Sequence, residues 1–254
     1  MKNWTWAGVL LAGCVLTGLS AGDAGAAPTI DAKLDGLGLN SGGVTVSFLG
    51  NNYSSGSAGR FDWTVLSNPD NLIFRTPSGG ESKTSFVSFC IELTQHVSPG
   101  ASYSGIMVNS LASSPQPGTN NIPMGSTAAA LLANMWYQHI TTQVSPLPLT
   151  NALQAAAFQV AIWEIVYDGG TGLNLAGGQL TATGNASLLQ AANNFLSTAN
   201  AAGQKANLYG ISRGPNSNFQ GPVVEIVPEP ASIVAWSLIG CCFVAGARFR
   251  RRAN

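Results

Sequence analysis

The chain has 254 residues, room for one domain or two small ones, and its 11 Lys+Arg balance 11 Asp+Glu with charged residues at only 9%. Between Ala27 and Glu229 six basic residues stand against ten acidic ones, a net charge of −4, so there is no basic patch and nucleic-acid binding is excluded. The sequence also lacks metal-spaced His/Cys clusters, Gly-rich cofactor loops and nucleophile elbows, which leaves no metal or cofactor to assign.

Lys2 is the only early charge, an apolar stretch runs from Trp4 to about Leu19, and small residues follow at Ala24-Gly25-Ala26-Ala27. This pattern predicts a secretory signal peptide over residues 1–26. Leu11-Ala12-Gly13-Cys14 offers a second reading, a lipobox with Cys14 as a lipid-modified terminus.

The first half of the segment from Ala27 predicts β structure. Gly43–Leu49 alternates with period two, and Gly50-Asn51-Asn52 turns the chain. Phe61–Leu66, Ser85–Leu93 and Ser102–Val108 are further strands, separated by Gly, Asn, Pro and Ser clusters. Phe86, Val87, Phe89 and Ile91 make the third of these largely buried.

The second half predicts helices. Ser126 or Thr127 caps one that runs to Tyr137, Thr150 or Asn151 caps a longer one over Ala152–Tyr167, and a third fits Ala186–Thr198. Val223, Val224, Ile226 and Val227 suggest a last strand. The expected class is α+β: an antiparallel β-sandwich or barrel with an inserted helical subdomain, spanning residues 27–226.

Residues 227–254 read differently. Pro228-Glu229-Pro230 precedes an uncharged apolar run, Ala231–Ala247, and then Arg248, Arg250, Arg251 and Arg252. The run has 17 residues, at the lower limit of the roughly 17–25 that cross a bilayer. The arginines act as a stop-transfer cluster on the cytoplasmic side and place what precedes them outside. An ordinary tail anchor is the plain alternative. The tripartite tail resembles the PEP-CTERM sorting signal of Gram-negative bacteria. The resemblance implies an exosortase-type processing enzyme, cleavage near the motif, and delivery to the envelope, outer surface or extracellular matrix.

The chain has four cysteines, Cys14, Cys90, Cys241 and Cys242, and only Cys90 lies between the two terminal segments. A leftover cysteine in an exported domain is either a buried inert thiol or a reactive one. On the helix over Ala152–Tyr167, steps of three and four from Gln159 reach Ala152, Ala155, Ala156, Ile162, Trp163 and Val166. Gln159 therefore falls in an apolar stripe, where its amide must find hydrogen-bond partners or cost roughly 1–3 kcal/mol. It can be a satisfied core glutamine bonded to a loop backbone, or it can be attacked by a thiolate with loss of ammonia.

Phe158-Gln159-Val160-Ala161-Ile162-Trp163 resembles the Thr-Gln-x-Ala-Ile-Trp motif of thioester domains in bacterial surface adhesins, and Phe89-Cys90-Ile91-Glu92 resembles their upstream aromatic-Cys-aliphatic motif. The resemblance implies an internal thioester between Cys90 and Gln159. Phe158 departs from the motif, which usually has Thr there. Phe89, Phe158 and Trp163 would shield such a bond. His139 or His96 could act as base, although each also reads as a packing or surface histidine. Glu92 would share a strand face with Cys90, and Glu164 and Asp168 read as solvated or capping rather than catalytic.

Three functions follow. The first is single-use covalent capture of amines or hydroxyls on exported polysaccharide, matrix or surface protein, which is not enzymatic turnover. The second is a non-reactive structural or polysaccharide-binding matrix protein of the same fold. The third and weakest is a cysteine hydrolase pairing Cys90 with His96 or His139.

Overall fold

The computed structural model describes residues 27–228, apart from 56–57, 77, 94–96, 115–122, 143–150, 170–171, 214–218 and 220. The signal-peptide segment, Glu229, Pro230, the apolar run and the arginine cluster lie outside the described residues. Among the described residues no helix is long and apolar enough to cross a membrane.

The expected choice between sandwich and barrel resolves as a barrel. Strands β1 (Thr29–Ser41), β4 (Ala58–Ser67), β7 (Ser85–Cys90), β8 (Ser102–Ser110), β10 (Leu208–Ser212) and β11 (Pro222–Glu225) close in the order β1-β4-β7-β11-β10-β8, every pair antiparallel. Closure removes exposed strand edges. Alternation drives it: Ile30, Ala32 and Leu34 on β1 and Phe61 and Trp63 on β4 are buried, with polar residues between them. Trp63 stacks on Phe86 at 5.5 Å, Phe86 meets Phe74 at 5.0 Å, and Trp63 donates its indole N–H to buried Ser88 at 2.8 Å.

A smaller sheet takes the order β3-β2-β9 from Asn51–Ser55, Val44–Phe48 and Leu180–Gly184, and a short hairpin joins β5 (Phe74–Arg75) to β6 (Glu81–Ser82). The turn between β2 and β3 falls one residue earlier than the sequence predicts. Leu49 and Gly50 take positive φ, 48° and 79°, and Asn51 and Asn52 already belong to β3. β1, β3, β5, β6, β9 and β10 are strands the sequence reading does not propose.

The helices are inserted between β8 and β10. Helix α1 (Gly125–Trp136) begins at Gly125 with Met124 at its N-cap and no side-chain cap bond, so neither Ser126 nor Thr127 caps it. It continues as one π-helical turn, Tyr137–Thr141. Helix α2 (Ala152–Asp168) is capped by Asn151, whose side chain accepts from the Gln154 N–H at 2.9 Å. Helix α3 (Ala186–Thr198) has the expected bounds, and Asn185 caps it at 3.1 Å from the Leu188 N–H.

Helix α2 is buried without a break from Ala155 to Val166 and packs against β1, β4, β7, β9, α1 and α3. Gln159 therefore lies in a helix buried all round, not in one apolar stripe. Its alanines, Ala155, Ala156 and Ala157, are fully enclosed.

Candidate functional site

The site begins where β7 runs out of partners. Neighbouring strand residues present their backbone groups to opposite sides. The Ile91 N–H reaches the Gly221 carbonyl at 3.1 Å, on the β11 side, so Cys90 turns its N–H and C=O toward β4. The β4 register on β7 starts at Phe61 opposite Ser88 and does not extend to Cys90. The Gln159 carboxamide takes that place. Its Oε1 accepts from the Cys90 N–H at 2.8 Å, and its Nε2 donates to the Cys90 carbonyl at 2.7 Å. On the other side Pro222 sits opposite Cys90, where the ladder needs no N–H from it.

Both residues are sealed from water: Cys90 is 3% exposed and Gln159 1%. Phe89 and Phe158, each preceding one of the pair, meet edge to face at 5.1 Å. Trp136 closes the group at 5.7 Å from Phe89 and 6.0 Å from Phe158. Trp163, one turn beyond Gln159, is buried, and its indole Nε1 has no hydrogen-bond partner among the described residues.

Burial pushes the Cys90 thiol well above its ordinary range, and the Glu92 charge pushes it further the same way. β7 ends at Cys90, so Glu92 does not share a strand face with it as expected. The Glu92 side chain instead folds onto the start of β11, where its Oε2 accepts from the Gly221 N–H at 3.0 Å. Burial raises this carboxyl to about 7, against the lowering effect of that N–H. Tyr167 completes the surround. Its hydroxyl accepts from the Leu93 N–H at 3.1 Å, its ring meets Phe48 at 4.5 Å, and burial raises its phenol.

His139 is engaged by α3. Its Nε2 pairs with the Thr198 hydroxyl at 2.9 Å and its ring meets Phe195 at 4.8 Å and Phe158 at 6.4 Å. Burial lowers its pKa and keeps it neutral. His96 lies outside the described residues. Glu164 and Asp168 are buried rather than solvated. Glu164 accepts from the Asn174 N–H at 2.6 Å, and Asp168 accepts from the N–H groups of Gln179 and Leu180 at 3.0 and 2.8 Å. They brace the loop into β9, which corrects the expectation of solvent exposure.

Sequence reasoning missed Gly221, Tyr167 and a second buried cluster. Glu225 on β11 accepts from Arg75 at 3.1 Å, from the Trp136 indole at 2.8 Å and from the Thr141 hydroxyl at 3.0 Å. These contacts clamp the last barrel strand. The Val227 N–H makes one more bond, to the Ile73 carbonyl at 2.7 Å, and Pro228 is exposed. Among the described residues no three His, Cys, Asp or Glu side chains gather as a metal site.

No family model and no curated protein matches the chain. Among solved structures, the N-terminal domain of the Streptococcus pyogenes pilus tip adhesin Cpa is similar at a TM-score of 0.33 and 16% identity, covering 72% of this chain and 93% of that one. The pilus-presented adhesin Spy0125 (Cpa) is similar at a TM-score of 0.33 and 12% identity, covering 78% of this chain and 67% of that one.

Proposed function

We propose that residues 27–226 form an exported domain in which Cys90 and Gln159 condense to an internal thioester that captures a surface or matrix nucleophile. The observation that carries this reading is the reciprocal hydrogen bonding of the Gln159 carboxamide to the Cys90 backbone. That contact seats the amide carbon beside the cysteine. It also puts the Cys90 N–H on Oε1, where negative charge develops when sulfur adds to the carbon. Sulfur bonds to the Gln159 Cδ, the Cδ–Nε2 bond breaks, and ammonia leaves with the thiol proton. In capture, an amine or hydroxyl adds to the same carbon, the sulfur leaves, and an amide or ester remains. The acyl group stays on its target, so the protein acts once.

The terminal segments supply the setting for this reading: export through residues 1–26, then processing by an exosortase-type enzyme at Pro228-Glu229-Pro230. The apolar run anchors the chain in the membrane until that cleavage. The targets are amines or hydroxyls of exported polysaccharide, matrix or surface protein.

One observation favours the non-reactive reading. The same two bonds give both polar atoms of a core glutamine amide a partner, as a purely structural residue requires. Intact mass decides between the two. A thioester lowers the mass of segment 27–228 by about 17 Da, one ammonia, and blocks thiol labelling of Cys90 until methylamine is added. Full mass together with a labelled thiol in the unfolded chain would sink the thioester.

A further inference from the structure

Resting on the thioester reading, a second question is which group carries the proton. Cys90 is a buried, protonated thiol, and a thiol is a poor nucleophile until a base removes its proton. His139 is engaged by Thr198 on α3, and His96 lies outside the described residues. We propose that Glu92 is the proton carrier of the Cys90–Gln159 site, acting as base toward the incoming nucleophile and as acid toward the leaving group.

Three observations carry this. Glu92 follows Cys90 by two residues, and its carboxyl is held against the start of β11 by the Gly221 N–H. The Gly221 carbonyl also binds the Ile91 N–H, and Pro222, the next residue, stands opposite Cys90. The carboxyl is thus fixed beside the last ladder pair of β7. Second, Gly221 leaves room for that approach: a Cβ there would lie 3.2 Å from Glu92 Oε1 and 3.3 Å from the Ile211 carbonyl, tight contacts that the carboxyl would have to yield to. Third, among the described residues two acids feel the Glu92 carboxylate. Its charge is felt by Cys90 on β7 and Tyr167 on α2, and Tyr167 is also influenced by Tyr53 on β3. Glu92 is 5% exposed, and its raised carboxyl suits proton exchange near neutrality.

The proton balance closes within the site. In formation, Glu92 carboxylate takes the Cys90 S–H proton, the thiolate adds to Gln159 Cδ, and the departing Nε2 group takes the proton and leaves as ammonia. In capture, Glu92 takes a proton from the attacking amine or hydroxyl as it adds, then returns it to the leaving Cys90 sulfur. The carboxylate is regenerated each time.

The test uses the full chain produced with its own export signals, wild type and Glu92→Gln. Gln retains an acceptor for the Gly221 N–H, so folding is checked by comparing thermal unfolding. The expected result is a wild type about 17 Da light, and a Glu92→Gln chain that is largely full mass or reacts with methylamine at least tenfold more slowly. A light wild type with a Glu92→Gln chain equally light and equally fast overturns the role of Glu92 and leaves the thioester standing. A full-mass wild type overturns the thioester and, with it, this role. Should Glu92→Gln fold poorly, the wild-type rate with hydroxylamine, whose amine is neutral above about pH 6, serves instead. An inflection near pH 7 is expected, and a rate rising only with free hydroxylamine overturns the proposal.

Discussion

The Gln159 carboxamide grips the backbone of Cys90 across 69 residues of chain, accepting from its N–H at 2.8 Å and donating to its carbonyl at 2.7 Å. A helix side chain here bonds a β-strand where its pairing with β4 has stopped. The contact is structural whether or not a covalent bond follows, and it can be tested apart from the chemistry.

In a Cys90→Ala background, where no thioester can form, adding Gln159→Ala leaves the residue-90 N–H and C=O buried without partners. Each such group costs roughly 1–3 kcal/mol, so the double variant should be about 2–6 kcal/mol less stable than Cys90→Ala alone. Urea unfolding of the two chains measures this, and a difference below about 0.5 kcal/mol would remove Gln159 from its structural role.

If the thioester forms, it closes a 69-residue loop. By chain-entropy reasoning such a cross-link is worth up to about 4 kcal/mol, as for a disulfide of that span. Wild-type protein opened with methylamine should therefore unfold at lower urea than untreated protein, while Cys90→Ala should be indifferent to methylamine. A matching shift in both chains would trace the effect to the reagent.

Phe158 occupies the position where the adhesin motif usually has Thr. Its ring meets Phe89 at 5.1 Å, Phe195 at 5.2 Å and Trp136 at 6.0 Å, and it is fully buried. Phe158→Thr should destabilise the domain by about 3–5 kcal/mol, since it opens a cavity between β7 and the helices. Calorimetry reads the loss. An unchanged melting temperature would mean that this aromatic cluster does not hold the helices to the barrel.

Glu225 is 3% exposed and holds Arg75, Trp136 and Thr141 at once. Glu225→Ala strands the Arg75 guanidinium and the Trp136 indole, and should cost about 3–5 kcal/mol. In a double-mutant cycle with Arg75→Ala, the second substitution should cost much less once the first is made. Simple additivity in urea unfolding would show that the clamp is not a unit.

Acidity gives a further signature. Glu92 and Glu164 each rise from an ordinary 4.5 to about 7 in the folded chain, through burial. In that window the folded state binds more protons than the unfolded one, so their contribution is full below about pH 4.5 and lost as pH climbs through 7. His139 works the other way: its folded pKa is lowered, so acid below about pH 6.5 favours the unfolded state. Subtracting the pH profile of Glu164→Gln from that of wild type isolates one carboxyl. The difference should fall between pH 5 and 8, and a flat or rising difference would contradict a raised Glu164.

Some elements were legible because their signals are local. Helix α3 has its predicted bounds, Ala186–Thr198, since Asn185 caps it and an amphipathic pattern follows. Asn151 announces α2 in the same way. β1 was overlooked although Ile30, Ala32 and Leu34 alternate; its two glycines, Gly36 and Gly38, dilute the pattern. β9 and β10 are five residues each, and a glycine in each, Gly184 and Gly210, interrupts the pattern. Of the site, Cys90, Gln159, Phe89 and Phe158 were legible as two motifs. Glu92 was noticed for a strand face it does not have, and Gly221 and Tyr167 carry no local mark.

From the sequence alone came the apolar alternation, the Asn151 cap of α2, the lone Cys90 between two terminal segments, and a polar residue, Gln159, set among alanines and aromatics. These depend on neighbours within a turn or a strand. Only the tertiary structure decided that the sheet closes into a barrel, that the pairing of β4 with β7 stops short of Cys90, and that Gln159 fills the gap. It alone folded Glu92 onto Gly221 and paired His139 with Thr198. Period-two alternation is the same in a sandwich and a barrel, and a buried amide is bonded wherever closure brings a partner. The meeting of residues 69 apart is therefore settled by how the strands close, not by either stretch alone.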